Sequence, residues 1–353
     1  MKMKHVVLSA VALASLAGLA SCQSDVLQIG ILQFVTHDAL DAAKDGFVQA
    51  LEDAGFVDGE NIEITVSNPQ TDPTIMASGA AQLARKSDLI LAIATPAAIS
   101  AKSAIEDAGK ETPLLFTAVT DPVASGLIAS PELPGGFVTG TNDMNPVADQ
   151  IALFEEFPGI EKIGLLYSSA ESNSVIQINL AKAKCEALGL AFVDQPLTGD
   201  EATIQSTINQ LFANESIDGV YIPTDNYLAS AMTSVSSKAI EKGLPLIVGE
   251  AGQVTNGGFL TLGLSYFTLG ETTGEMAVQI LKDGVEPKDI PSTGASSFPL
   301  VVSQVFATAA GITIPQSILD RADTIITESS ESSAVSLPLV DVDFLKKASV
   351  ASR

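Results

Sequence analysis

Short apolar runs alternate along this chain with segments whose apolar residues recur every three or four positions. Residues 26–32 form a nearly continuous apolar run, which predicts a strand. Leu40, Phe47 and Leu51 then share one helical face, with Asp38 as the expected N-cap and Gly55 as the stop. The alternation continues through a strand at 62–66, a helix at 74–86, a wholly apolar strand at 89–94, a helix at 97–108 and a strand at 114–119. A Pro- and Gly-rich stretch from Pro131 to Pro146 interrupts it. The pattern then restarts, with strands at 163–167, 191–193, 219–222 and 246–248 and helices at 175–188, 204–212 and 228–242. A strand near 259–264, a helix at 269–282 and a strand at 298–302 end the series. Wholly apolar strands alternating with helices predict parallel sheets covered on both faces. The expected fold is therefore α/β, with two doubly wound parallel-sheet lobes and a cleft and hinge where strands cross between them.

The two ends do not follow this pattern. A basic start, Met-Lys-Met-Lys-His, precedes an apolar run from Val6 to Ala20 and the sequence Leu19-Ala20-Ser21-Cys22. That is the layout of a secretory leader, and the run falls short of the ~20 residues that span a bilayer. Leu-Ala-Ser-Cys resembles a bacterial lipoprotein processing site, with Cys22 the lipidated first residue of the mature chain. Residues 1–21 are thus expected to be removed and 22–25 to form the anchored N-terminus, placing the protein outside the cytoplasm and tied to a membrane. The tail, 328–353, opens with Glu-Ser-Ser-Glu-Ser-Ser and shows no period. It is expected to be disordered, with 339–345 as the one segment that could dock.

Composition narrows the function. There are 18 basic and 42 acidic residues, a net charge of −24. Loss of Lys2 and Lys4 with the leader leaves 16 basic residues against the same 42 acids, or −26. Such a chain repels phosphate backbones and anionic lipid, so no nucleic-acid partner is expected and the membrane link falls to the anchor. With 46% hydrophobic residues the chain can build a large core. If Cys22 carries lipid, Cys185 has no disulfide partner and reads as a small buried hydrophobe. Past the leader His37 is the only histidine, so no paired-histidine metal site can form. No phosphate-binding glycine loop, dinucleotide turn or Gly-x-Ser-x-Gly elbow occurs. No metal, cofactor or catalytic residue is expected. An enzyme using paired carboxylates in the cleft is the one catalytic alternative that counting leaves open.

In parallel α/β sheets ligands bind beyond the carboxyl ends of the strands. The polar and aromatic residues there are, in order, Gln33, Phe34 and His37; Thr95; Thr120 and Asp121; Ser168, Glu171, Asn173 and Ser174; Thr224, Asp225 and Asn226; Glu250; and Tyr266. Thr95, Asp121, Ser174 and Asp225 also suit plain helix caps or turns. Helix N-termini at this end would meet a carboxylate, and Asp121, Asp225 or Glu250 would accept from an ammonium, the two halves of an amino-acid zwitterion. Of the four tyrosines, Tyr167, Tyr227 and Tyr266 fall at or past strand ends and could form a stacking wall with Phe34, whereas Tyr221 lies inside a strand and reads as core.

At these residues the chain resembles the substrate-binding lipoproteins of ABC importers, in the group with the periplasmic-binding-protein type I fold that includes tryptophan-type receptors. The matching segments are Gly-Ile-Leu-Gln-Phe-Val-Thr-His (30–37), Leu-Asp-Ala-Ala-Lys-Asp-Gly-Phe (40–47), Ile-Ala-Thr-Pro-Ala-Ala (93–98), Phe-Thr-Ala-Val-Thr-Asp-Pro (116–122), Glu-Ser-Asn-Ser (171–174) and Pro-Thr-Asp-Asn (223–226). The resemblance implies two lobes joined by three crossings, one from 26–143 with 260–290 and the other from 144–259 with 291–327. It implies a small-molecule cargo, foremost an aromatic amino acid, an ABC permease and its ATPase as partners, and a monomer. Carried over by position, it makes Phe34, Thr95, Thr120, Asp121, Asn173, Asp225 and Tyr266 the expected ligand contacts. His37, Tyr167, Ser174, Asn226 and Glu250 are secondary candidates, Glu250 in a Val-Gly-Glu-Ala stretch less typical of the group. A sensor of the same fold that signals to a membrane partner, and a receptor for a nucleoside or another small metabolite, stay open as alternatives.

Overall fold

A computed structural model describes residues 26–198 and 201–327. The leader with Cys22, and the tail expected to be disordered, lie outside the described residues.

The first half of the chain runs β1 (Leu27–Gln33), α1 (Asp38–Asp53), β2 (Ile62–Ser67), α2 (Pro73–Lys86), β3 (Leu89–Ile93), α3 (Thr95–Asp107), β4 (Leu114–Val119) and β5 (Val138–Asn142). It then crosses into α4 (Val147–Ala152), β6 (Lys162–Ser168), α5 (Ser172–Leu188), β7 (Ala191–Leu197), α6 (Glu201–Phe212), β8 (Gly219–Ile222), α7 (Asn226–Ser230), α8 (Met232–Lys242), β9 (Leu246–Val248), α9 (Ala251–Thr255) and β10 (Leu260–Leu262). It returns as α10 (Tyr266–Asp283) and β11 (Thr293–Gly294), and crosses once more into β12 (Leu300–Ser303), α11 (Gln304–Ala309), α12 (Gln316–Leu319) and β13 (Thr324–Ile326).

Two sheets result, ordered β11-β5-β4-β3-β1-β2 and β13-β12-β10-β9-β8-β6-β7. The first is parallel throughout, and the second has one antiparallel pair, β10 with β12. Within each lobe the first five strands in chain order lie in the spatial order second, first, third, fourth, fifth. That order reverses direction between the first and third strands, the place where doubly wound sheets bind ligands. Here those places are the ends of β1 and β3 in one lobe and of β6 and β8 in the other. Strands β3, β4, β8 and β9 are buried along their whole length, which is why they read as unbroken apolar runs. Each lobe has its own apolar core, and Cys185 and Tyr221 lie inside the second. Tyr221 Oη donates to Gln150 Oε1 (2.7 Å).

Several expectations need correction. Lobe boundaries shift, because β10 pairs with β9 and β12 in the second lobe while β11 pairs with β5 in the first. The second and third crossings therefore fall after Leu262 and after Gly294, and not at 260 and 290. Strand β5, Val-Thr-Gly-Thr-Asn, lies within the stretch expected to be only a break. It is buried but nearly devoid of large apolar residues; Thr139 Oγ1 donates to Ile290 O (2.7 Å) and Thr141 Oγ1 pairs with Thr273 Oγ1 (2.8 Å). Gly140 is needed there, since a Cβ would stand 2.0 Å from Phe116 O. The helix expected over 228–242 is divided at Ala231, with φ −103° and ψ 9°. At the first helix His37, and not Asp38, occupies the N-cap.

Helices α1 and α10 touch through glycine, which couples the returning segment to the first lobe. A Cβ on Gly270 would lie 1.9 Å from Ala43 O, and one on Gly46 2.0 Å from Phe267 O. No rotamer relieves a clash with a backbone carbonyl. Gly270→Ala is therefore expected to force the helices apart and destabilise the protein by about 2 kcal/mol, net of the roughly 1 kcal/mol gained in helix propensity. A lower urea midpoint with an unchanged slope is the expected readout, and an equal or higher midpoint contradicts the packing described.

Candidate functional site

The lobes meet over a narrow slot lined by His37, Leu40, Ala118 and Asp143 from the first lobe and its crossing, by Asn173, Thr224, Asp225, Asn226, Ala229, Glu250 and Gln253 from the second, and by Tyr266 at the return crossing. The space between the walls is ≈ 290 Å³, of which the centres of water-sized spheres reach ≈ 20 Å³, so the slot is tight. Direct bonds hold the lobes together around it. His37 Nε2 bonds Asn226 Oδ1 (3.0 Å), Gln177 Nε2 donates to Thr120 Oγ1 (3.2 Å), and Asn256 Nδ2 donates to Asp38 Oδ2 (2.8 Å). Phe34 and Tyr227 meet edge to face across the cleft, with centroids 6.0 Å apart.

The α5–α7 side of the slot is rich in acceptors. Asp225 caps α7 by accepting from Leu228 N (2.9 Å) and also accepts from Ser168 N (2.5 Å). Glu171, at the N-cap of α5, accepts from Asn226 N (3.1 Å), Tyr227 N (3.3 Å) and Asn226 Nδ2. That last bond fixes the Asn226 amide, so His37 Nε2 is the donor to its Oδ1. Asn173 donates to Thr224 O (3.0 Å), while its buried Oδ1 has no partner. Burial, followed by the nearby Asp225 charge, pushes Glu171 up to about 8, and burial raises Asp225 as well. Burial lowers His37, so its imidazole is neutral near pH 7.

The hinge side carries a second set. Asp143, on the first crossing, accepts from Tyr266 Oη (2.7 Å) on the second crossing and from Thr120 Oγ1 (3.0 Å). Glu250, at the end of β9, caps α9 through Gly252 N and Gln253 N (2.7 Å). Burial raises both carboxyls, Glu250 to about 7, with Asp38 and Asp143 as nearby like charges. The register between β4 and β5 shifts between Phe116 and Val119, and Ala118 within that stretch lies at φ 55° on the slot wall. Ala94, just before α3, has φ 84° and ψ 152°, a region other residues leave to glycine.

Of the expected ligand contacts, Asn173, Asp225 and Tyr266 line the slot, as do the secondary candidates His37, Asn226 and Glu250. Phe34 stands beside it in the ring pair, and Thr120 one bond behind Asp143. Thr95 opens α3, which packs against α5, and its buried Oγ1 has no partner. Ser174 is buried behind Asp225, to which it is hydrogen-bonded. Two expected contacts stand apart from the slot lining. Asp121 accepts from Val123 N (3.1 Å) and Ala124 N (2.9 Å) and serves its own turn. Tyr167 is not among the slot's lining residues, and Lys182 lies 5.5 Å from its ring centre. Asp143 and Gln253 were not foreseen. Asp143 follows a strand with no apolar signature, and Gln253 sits in a five-residue helix with no period to read.

Two α/β lobes closing on a buried polar slot define a solute-binding protein. Residues 28–326 match the model of the ABC transporter substrate binding protein family, and the chain belongs to that family. A "Tyrosine-binding protein" of Clostridioides difficile is 38% identical over 280 residues, covering 78% of each chain. The structure of an ABC domain in complex with L-Trp from Streptococcus pneumoniae is 34% identical, covers 85% of this chain and 99% of that one, and superposes with a TM-score of 0.79. The ligand-free, open structure of a substrate binding protein with adhesive properties from Clostridium difficile is 39% identical, with coverage of 86% and 100%, but a TM-score of 0.63. The lobes here are thus arranged more like the ligand-bound relative than the open one, in keeping with the bonds across the cleft. The fold is that of the type I periplasmic binding proteins. The family works outside the cytoplasm and binds small molecules. Among the described residues, no helix is long and apolar enough to cross a membrane, and no group of three or more His, Cys, Asp or Glu could hold a metal ion.

Proposed function

We propose that this protein is a non-catalytic receptor that closes on an aromatic amino acid and delivers it to an ABC permease driven by its ATPase. The observation that carries this reading is the buried pair of Asp225 and the unpartnered Asn173 Oδ1, with Glu171 behind them on Asn226, in a slot whose other walls include Leu40, Ala118 and Ala229. Such a group suits an ammonium beside an apolar body. Thr95 Oγ1 and the N-terminus of α3, across from α5, suit the ligand carboxylate. The relatives that bind tyrosine and L-tryptophan support the aromatic class. The chain acts as a monomer held to the membrane through lipid on Cys22.

Capture with release calls for micromolar or tighter affinity, about −8 kcal/mol or somewhat stronger. The chain has no Trp, so tryptophan fluorescence reports the ligand against almost no protein background. Calorimetric titration of the mature chain, stripped by unfolding and refolding, with the common amino acids is expected to give saturation near one per chain with an aromatic one. No heat with any amino acid rejects the reading and leaves the fold standing.

A further inference from the structure

The slot has acceptors at two places, and one ammonium serves only one of them. Asp225 and Asn173 Oδ1 occupy the α5–α7 side, and Asp143 and Glu250 the hinge side. No Lys or Arg lines the slot. At the hinge, both oxygens of Asp143 are engaged by side-chain hydroxyls, those of Thr120 and Tyr266. Glu250 is 3% exposed and is held from behind by backbone N–H groups of its own helix, which leaves a lone pair on each oxygen free. The slot is also lined by the apolar side chains of Leu40, Ala118 and Ala229. A ligand seated with its ammonium beside Asp225 would direct an apolar body toward a second, unfilled acceptor.

We infer that Glu250 selects a cargo whose side chain ends in an N–H or O–H donor, so that tyrosine and tryptophan are held and phenylalanine is rejected. This rests on the receptor reading above and adds to it which aromatic side chains are accepted. Phenylalanine would close the slot over a carboxyl group with nothing to donate to it. A site built to hydrogen-bond a ligand donor rejects the analogue that lacks it far more strongly than an apolar pocket rejects a missing methylene. Burial and the neighbouring Asp38 and Asp143 charges already disfavour an ionised Glu250 without a donor.

The test is calorimetry of the mature chain with tyrosine, tryptophan and phenylalanine, repeated on Glu250→Asp and Glu250→Gln. Aspartate keeps the charge and is a good helix cap but withdraws the carboxylate by one methylene. Glutamine keeps the reach and one acceptor. The intact chain is expected to bind tyrosine at least about thirtyfold tighter than phenylalanine. Glu250→Asp is expected to bring that ratio below about threefold, and Glu250→Gln to an intermediate value, with melting temperatures showing that each variant folds. Equal affinity of the intact chain for all three amino acids overturns this inference and leaves the receptor reading in place. A ratio that survives in Glu250→Asp, or a parallel loss for tyrosine and phenylalanine, assigns Glu250 to another role and also overturns it. No binding of any of the three overturns the receptor reading and this inference together.

Discussion

Asp225→Asn is expected to abolish capture while sparing the fold: affinity for the aromatic amino acid falls about a hundredfold or more, close to 3 kcal/mol, and the ligand-free protein melts within a few degrees of the parent. The carboxylate is 2% exposed and stands where an ammonium would be received. Replacing it by an amide removes the opposite charge and offers the ligand a competing donor. Asparagine is an equally good helix cap, so Leu228 N keeps an acceptor. Ser168 N loses its acceptor, but the like charge beside Glu171 goes too, and these effects oppose each other. Asp225→Ala behaves differently. It leaves both buried N–H groups unpaired, so binding is lost and stability drops by about 2–4 kcal/mol as well. Calorimetry and thermal melts on the two variants separate the roles. Near-parental affinity in Asp225→Asn removes this residue from the ligand site.

The second large effect is an inverted dependence of stability on pH. Burial raises the folded values of Glu171, to about 8, and Glu250, to about 7, above the 4.5 of an unperturbed glutamate. Between those values and 4.5 the folded protein holds more protons than the unfolded chain. Stability is then full below about pH 4.5 and is lost as pH rises through 7 and 8. The ligand-free protein is expected to melt several degrees lower at pH 8.5 than at pH 6, a loss of roughly 3 kcal/mol from Glu171 and roughly 1 kcal/mol from Glu250 if the slot stays closed. Burial also raises Asp143 and Asp225, which adds to the change in the same direction, while it lowers His37. Saturating ligand is expected to flatten the slope, because an ammonium stabilises the ionised carboxylate. Glu250→Gln removes one of the two contributions. A flat melting profile from pH 6 to 8.5 without ligand would falsify the protonated, closed slot.

Strands buried on both faces are visible in a sequence because every position must be apolar, and β3, β4, β8 and β9 were legible for that reason. Strand β5 was not, because its buried positions are threonines that satisfy one another and a glycine fitted against Phe116. Missing that strand meant missing Asp143, the residue just past its end. Strand ends also show only where a side chain starts. Tyr167 sits at an end as suitable as that of Asn173, yet its ring lies beside Lys182 and outside the slot lining. Asp121 is engaged differently. One of its carboxylate oxygens accepts from two backbone N–H groups of its own turn, and short-range bonds of that kind leave no trace in long-range pattern. Residues held by contacts between lobes, such as His37 and Asn226, are legible as candidates but not as partners.

The close crossing of α1 and α10 sets the order in which this chain can mature. Helix α1 is made within the first 53 residues, but the helix that covers its glycine face begins only at Tyr266, after the strands of the other lobe up to β10 have been synthesised. The first lobe consequently waits, its apolar face uncovered, while residues 144–262 are made, and the second lobe in turn is completed only by β12 and β13. Contacts of such sequence separation slow folding and leave an intermediate prone to association. Neither half is whole until the chain has passed through the other, so both depend on being kept apart from their neighbours during synthesis.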